Sequence, residues 1–147
     1  LTLEGPQGDF ILSAIADRID KRTEGGFEII DYKTGAVPRR DDVNLGFSPQ
    51  LALEAAILRQ GGFTAIAAEP VTALAYWRLS GGETPGKEHP VAGDPEMLSA
   101  AALEGLRTLI DAFDDPGTPY AATPRPEWAP RYNDYAHLAR ILEWSGG

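Results

Sequence analysis

Apolar and polar residues alternate from Phe10 to Asp20. Phe10, Leu12, Ala14 and Ala16 fall on one side, and Ile11, Ser13, Ile15, Asp17 and Ile19 on the other. A period of two predicts a β-strand over this stretch. Thr23-Glu24-Gly25-Gly26 predicts a tight turn, because paired glycines reach positive φ at little cost. Phe27 to Lys33 predicts a second strand, paired with the first as an antiparallel hairpin that Thr34-Gly35 ends. Residues 36–47 predict a polar loop carrying Pro38, Arg39, Arg40, Asp41 and Asp42. Ser48-Pro49 predicts a helix start, a hydroxyl N-cap followed by proline at the first helical position. That helix runs through Gln50, Leu51, Glu54, Ala55 and Leu58 and stops at Gly61-Gly62. Val71 to Leu79 predicts a third strand, and residues 81–93 a loop. Asp94-Pro95 caps a second helix, with Leu98, Ala102, Leu106, Leu109, Ile110 and Phe113 at helical spacing. Residues 115–130 are proline-rich and read as irregular, and Tyr132 to Trp144 predicts a last short helix. The expected class is α/β: a small mixed sheet flanked by helices.

Composition narrows the functions available. The chain has 147 residues, the size of one domain, and 43% of them are hydrophobic, enough for a real core. It contains no cysteine, which excludes disulfides, thiolate zinc sites and a cysteine-held iron–sulfur cluster built from this chain. No apolar run approaches the ~20 residues that cross a bilayer. With 13 Lys+Arg against 22 Asp+Glu, the net charge of −9 argues against a protein that coats nucleic acid. It leaves open an enzyme that grips phosphates through a divalent metal. Arg18, Lys21, Arg22, Lys33, Arg39 and Arg40 crowd the first 40 residues. No glycine-rich phosphate loop with its lysine is present, so ATP hydrolysis is not expected. The opening Leu1-Thr2-Leu3, without Met, reads as the start of a fragment: one domain over 1–147, cut from a longer protein, with its upstream part missing.

The informative chemistry is Asp17 followed by Asp31-Tyr32-Lys33. In a strand, Asp31 and Lys33 point to one face, and Asp17 reaches that face from across the hairpin. Two carboxylates and an ammonium on a sheet surface make a site for a hard cation such as Mg²⁺, which takes oxygen ligands and keeps waters. The plain alternative is a solvated cross-strand ion pair, worth ~0–1 kcal/mol. Three details favour the site. Ile29 and Ile30 embed Asp31 in an apolar strand, where an unpaired carboxylate is costly. Lys33 runs into the Thr34-Gly35 turn. Gln50, in the first turn of the next helix, can face the same cavity. Elsewhere, His89 reads as a surface histidine in a loop and His137 as a packing or capping residue. One of Tyr76 and Trp77 belongs in the core. Arg39 and Arg40 read as solvated, with a phosphate contact as the alternative.

Three strings taken together resemble the RecB-type branch of the PD-(D/E)XK nucleases: Ala14-Ile15-Ala16-Asp17-Arg18-Ile19-Asp20, Ile30-Asp31-Tyr32-Lys33-Thr34-Gly35 and Pro49-Gln50-Leu51-Ala52-Leu53-Glu54. The branch reads G-x-x-D-R-x-D, D-Y-K-T-G and Q-L-x-x-Y. Tyr132 to Arg140 resembles the end of the AddB subunit of bacterial AddAB helicase–nucleases. The resemblance implies a restriction-endonuclease-like α/β core and hydrolysis of DNA phosphodiesters with Mg²⁺ or Mn²⁺ in double-strand-break repair and recombination. It implies Asp17, Asp31 and the Tyr32 backbone carbonyl as metal ligands, Lys33 as the catalytic lysine, and Gln50 as the residue that holds the lysine or the DNA backbone. Asp20 would be structural, paired with Arg18 or Arg22. The implied setting is the bacterial cytoplasm, with a single-stranded DNA end and an AddA-like helicase–nuclease subunit as partners. The departures are Ala14 in place of glycine, Glu54 in place of tyrosine, the absent upstream helix with its further metal ligand, and the missing cluster cysteines. The Trp128, Tyr132, Tyr135 and Trp144 aromatics would then take over packing from the cluster. The competing reading is a non-catalytic DNA-binding or subunit-docking module with a relict site.

Overall fold

A computed structural model describes residues 1–82 and 85–121, together with Leu138. Residues 1–114 form one compact unit and 115–147 a second. In the second unit, Asp115 to Thr118 closes a turn, with Thr118 N–H donating to the Asp115 carbonyl at 2.9 Å. The predicted helix over 132–144, His137 and the tail aromatics lie outside the described residues.

The first unit holds a four-stranded mixed sheet. Its strands are β3 (Arg18–Lys21), β4 (Phe27–Lys33), β5 (Val71–Leu79) and β6 (Gly86–Pro90), in that order across the sheet. A two-stranded ribbon, β1 (Thr2–Leu3) with β2 (Phe10–Ile11), lies apart from it. β3–β4 and β5–β6 are antiparallel, and β4–β5 is parallel. A parallel pair needs a crossover, supplied here by α1 (Arg40–Asn44) and α2 (Gln50–Arg59). α3 (Pro95–Asp114) packs on α2. The α2 sequence is apolar nearly all round because the helix is covered on two sides. Leu51, Ala55 and Leu58 join Phe27, Ile29, Leu74 and Tyr76 of the sheet, while Ala56 joins Leu103 and Ile110 of α3. The expected α/β class holds.

The hairpin turn is built as predicted. Gly25 and Gly26 have φ of 95° and 75°, and Arg22 N–H donates to the Gly26 carbonyl at 3.0 Å. Gly26 is required twice over. Its φ is left-handed, and a Cβ there would lie 2.7 Å from Thr72 Cγ2 and 2.8 Å from the Pro70 carbonyl oxygen. Gly26→Ala is expected to cost about 1–3 kcal/mol, read as a lower urea midpoint at unchanged m-value.

Four elements differ from the sequence expectation. The single strand over 10–20 is instead β2 and β3 with an irregular link over 12–17. β4 ends at Lys33, so it offers nothing opposite residues 12–14, and Leu12 N–H donates instead to the Leu1 carbonyl at 2.8 Å. At Tyr32 the ladder gives way to a side chain, because the backbone N–H donates to Asp17 Oδ2 at 2.9 Å. The polar loop contains α1, closed by a box in which Asp42 Oδ2 accepts from Arg39 N–H at 3.1 Å. Ser48 is not the cap of α2; Pro49 holds that position, and no side chain caps the helix. Ser48 N–H donates instead to the Asp42 carbonyl at 2.9 Å, tying α1 to α2. The loop over 81–93 contains β6, a strand whose composition does not announce it. By contrast, Asp94 caps α3 as expected, its Oδ1 accepting from Glu96 N–H at 2.9 Å.

Candidate active site

Strand register assembles the site. Arg18 pairs with Ile30, so the next pair along the hairpin sets Asp17 opposite Asp31. Asp31 pairs with Tyr76, and Tyr76 with His89. Paired residues share a face, so Asp31, Tyr76 and His89 form one row across β4, β5 and β6, and Asp17, in the chain just before β3, extends it. Two residues on, Lys33, Arg78 and Lys87 form the next row on the same face. Helix α2 covers this face from Phe27 to Tyr76 and brings Gln50 and Glu54 to its edge.

Asp31 is almost fully buried, at 3% exposure. Lys33 Nζ lies 2.6 Å from Asp31 Oδ2, an ion pair that holds the buried carboxylate. Lys33 Nζ also reaches Gln50 Oε1 at 3.4 Å, and lies 5.7 Å from the centre of the Tyr76 ring. Gln50 Nε2 donates to Glu54 Oε1 at 3.2 Å. The chain of contacts therefore runs Glu54–Gln50–Lys33–Asp31. Asp17 is exposed and reaches Tyr32 N–H from the adjoining turn of chain. The structure thus brings together Asp17, Asp31, Lys33 and Gln50, the four side chains singled out from sequence. The Tyr32 side chain points away to the opposite face, where its ring meets Trp77 edge-on at 6.1 Å and Arg18 stacks 5.4 Å from the Trp77 ring centre. Asp20 is structural: Arg18 Nε donates to both its carboxylate oxygens at 2.9 Å.

Burial and charge tune two neighbours. Burial, and then the Asp31 and Glu54 charges, push the Tyr76 hydroxyl up to about 12, so it stays protonated at physiological pH. Glu54 is 2% exposed, and its Oε2 has no hydrogen-bond partner. Burial raises its carboxyl above the ordinary 4.5; the Gln50 hydrogen bond opposes this, and the Asp31 and Asp17 charges add to it. Folding therefore favours protonated Glu54, and this contribution is fully present below pH 4.5 and fades as pH rises through the folded value. Glu54→Gln removes the titration. In EDTA the variant is expected to match wild type at acid pH and to melt at a higher temperature above it. Thermal melts from pH 4 to 8 check the sign; a variant less stable at pH 8 would show that Glu54 is held as a carboxylate.

Among the described residues, no three His, Asp or Glu side chains close on a common point that could hold a metal ion. The donors that do converge suit part of a hard-cation shell. They are two carboxylates, Asp17 and the buried Asp31, oxygen donors of the kind a hard cation takes together with waters.

Two further residues on this face were read differently from sequence. His89 is not a loop histidine: it sits on β6, half-buried, with Nε2 buried and unpartnered. Arg78 stands beside Lys33. Neither carries a signal in a linear reading, because the β4–β5 register sets Arg78 beside Lys33 and the β5–β6 register brings His89 to the row. Of Tyr76 and Trp77, Tyr76 is the core residue, at 3% exposure.

Comparison with known proteins matches residues 1–132 to the PD-(D/E)XK nuclease superfamily. The chain belongs to this superfamily, and the mixed four-stranded sheet with its helices is consistent with the superfamily's restriction-endonuclease-like fold. Nucleases of this superfamily act on DNA and generally use divalent metals. An uncharacterized protein of Rickettsia conorii is 38% identical over 77 residues, 49% of this chain and 9% of that protein. Uncharacterized proteins of Rickettsia felis and Rickettsia bellii are 42% and 43% identical over 55 and 49 residues, which is 37% and 33% of this chain and 6% of each relative. The chain thus spans less than a tenth of the length of these bacterial relatives. No solved structure matches. No helix among the described residues is long and apolar enough to cross a membrane.

Proposed function

We propose that this chain is the nuclease domain of a longer bacterial protein of the RecB/AddB type. In this reading it hydrolyses single-stranded DNA ends during double-strand-break repair, in the cytoplasm, beside an AddA-like helicase–nuclease subunit. The observation that carries the reading is the convergence of Asp17, Asp31 and Lys33 on one sheet face, with Gln50 against the lysine. The short share of the relatives' length supports a domain within a larger protein.

Asp17, Asp31 and the Tyr32 backbone carbonyl would hold Mg²⁺ or Mn²⁺. Held there, such an ion would polarise a phosphoryl oxygen and lower the pKa of a water. The chain's own groups do the rest. Lys33 presents its ammonium where charge builds on the phosphate as water attacks. Gln50 holds that ammonium from the helix side, and Glu54 fixes which end of the Gln50 amide faces it. Tyr76 closes the floor of the site as an uncharged wall.

The test is metal-dependent cleavage of an end-labelled single strand by the wild-type chain, with EDTA as the blank. Cleavage that rises with added Mg²⁺ or Mn²⁺ supports the enzyme. Tight binding with no cleavage at any metal concentration replaces it with a DNA-holding module. AddA-like partnership is read separately, by co-purification of the full-length protein.

A further inference from the structure

A cleft of about 470 Å³ opens beside the carboxylate–lysine row. It lies within the ~300–1,000 Å³ range of small-ligand sites. One wall is the segment from Ala36 through Val43, and the other is formed by β5, β6 and the chain just after β6. Tyr76 belongs to both the cleft and the site, since its ring also faces Lys33. The lining has a pronounced sign. Three arginines, Arg39, Arg40 and Arg78, contribute to it and no Asp or Glu does, in a chain with 22 acidic residues and a net charge of −9. The arginines differ in availability. Arg39 is engaged by Asp42 at 3.1 Å, whereas Arg40 and Arg78 are exposed and have no ion pair among the described residues. Val37, Val43 and Val91 give the remainder an apolar surface. His89, half-buried, sits in the same wall and lends it an imidazole ring.

Each part suits a different part of one ligand. A free guanidinium fork matches a phosphate. An apolar wall with one polar side chain suits a flat heterocycle removed from its stack. We infer that this cleft seats one unstacked nucleotide of a single-stranded DNA substrate next to the scissile phosphate, with Arg40 and Arg78 on its phosphates and its base between the valine wall and His89. The inference rests on the nuclease reading for its DNA, but the cleft is tested without catalysis. A stacked, paired base does not enter such a cleft, so the same contacts favour strand over duplex.

The experiment is fluorescence anisotropy in EDTA, with the 147-residue chain and a fluorescein-labelled twelve-nucleotide oligo-dT, against a hairpin duplex of equal length. Wild type is expected to bind the strand more tightly than the duplex. Arg40→Ala and Arg78→Ala, both at exposed positions, are each expected to weaken strand binding about tenfold and to lower the salt-dependence slope by about 0.7. Val43→Trp, which fills the cleft, is expected to weaken strand binding and leave duplex binding alone. Arg107→Ala, which removes a cation on α3 outside the cleft, is the control for bulk charge and keeps wild-type binding. Strand affinities of both arginine variants within twofold of wild type overturn the inference, as does a wild type that prefers duplex or binds neither. The two readings fail separately. A chain that binds as described but never cleaves with metal keeps the cleft and loses the nuclease. A chain that cleaves, and whose arginine variants bind normally, loses the cleft alone.

Discussion

Asp31→Asn is expected to reduce metal-dependent cleavage of single-stranded DNA by about 10³-fold or more, while the protein remains folded. The size follows from the role assigned to the carboxylate. A metal that stabilises transition-state charge contributes several kcal/mol, and each 1.36 kcal/mol is tenfold in rate. The folding half follows from the surroundings. Removing one member of a buried ion pair ordinarily costs 3–5 kcal/mol, because the other is left buried and uncompensated. Here Lys33 keeps 29% of its side chain exposed and keeps Gln50 as a partner. Glu54, meanwhile, is relieved of a neighbouring charge that works against its ionisation. The metal-free variant should therefore melt within about 1 kcal/mol of wild type. Added metal then separates a site from a mere ion pair. At 100 times its Kd, a ligand bound only to the folded state stabilises it by about 2.7 kcal/mol. Wild type should show that increment in Mn²⁺, and Asp31→Asn should show none. Equal cleavage rates for the two proteins, or equal metal-induced shifts, would remove Asp31 from the metal site.

The legibility of this site in the sequence follows from how register propagates. Thr23 to Gly26 fixes the hairpin turn, and the period of two then carries Asp31 and Lys33 to one face and Asp17 to the place across from them. That inference needs only local pattern, and it survived even though the strand over 10–20 is broken. Asp17 lies one residue outside β3 and turns its carboxylate onto Tyr32 N–H, so the break sits at the site itself. Gln50 was legible because helix α2 begins at a sharp proline signal, though the cap differs by one residue. The far side of the face was not legible. Gly86-Lys87-Glu88-His89-Pro90 has the composition of a loop, and it is a strand because β5 offers it an edge to pair with. His89 gains its meaning only from that pairing, and Arg78 from the parallel pairing of β5 with β4. The buried carboxyl of Glu54 shared a helix face with Gln50 in the sequence. Its burial is set by the packing of the sheet and α3 on α2, the helix that carries it.

Lys33→Met should separate the two halves of the chemistry. Methionine keeps the length and apolar stem of lysine and loses the charge, so the fold around Tyr76 and Gln50 is preserved. Loss of one preorganised charge facing the developing phosphate charge is worth about 10²–10³ in rate, and single-strand cleavage at saturating metal should fall by that factor. Metal binding should move the other way. In the wild type the ammonium lies 2.6 Å from the Asp31 oxygen that would face a cation, and like charges so close oppose each other. Removing it should tighten Mn²⁺ binding, visible as a larger metal-induced rise in melting temperature than wild type shows. Asp31→Asn and Lys33→Met thus lose activity with opposite effects on metal affinity, a pattern that general damage to the site does not produce. Lys33→Arg should not restore the rate, because a planar guanidinium cannot take the place of a compact ammonium between Asp31 and Gln50. A Lys33→Met protein that cleaves at the wild-type rate would show that the lysine serves only to neutralise Asp31. One that loses metal binding along with activity would make it part of the site's architecture, with no separate part in the chemistry.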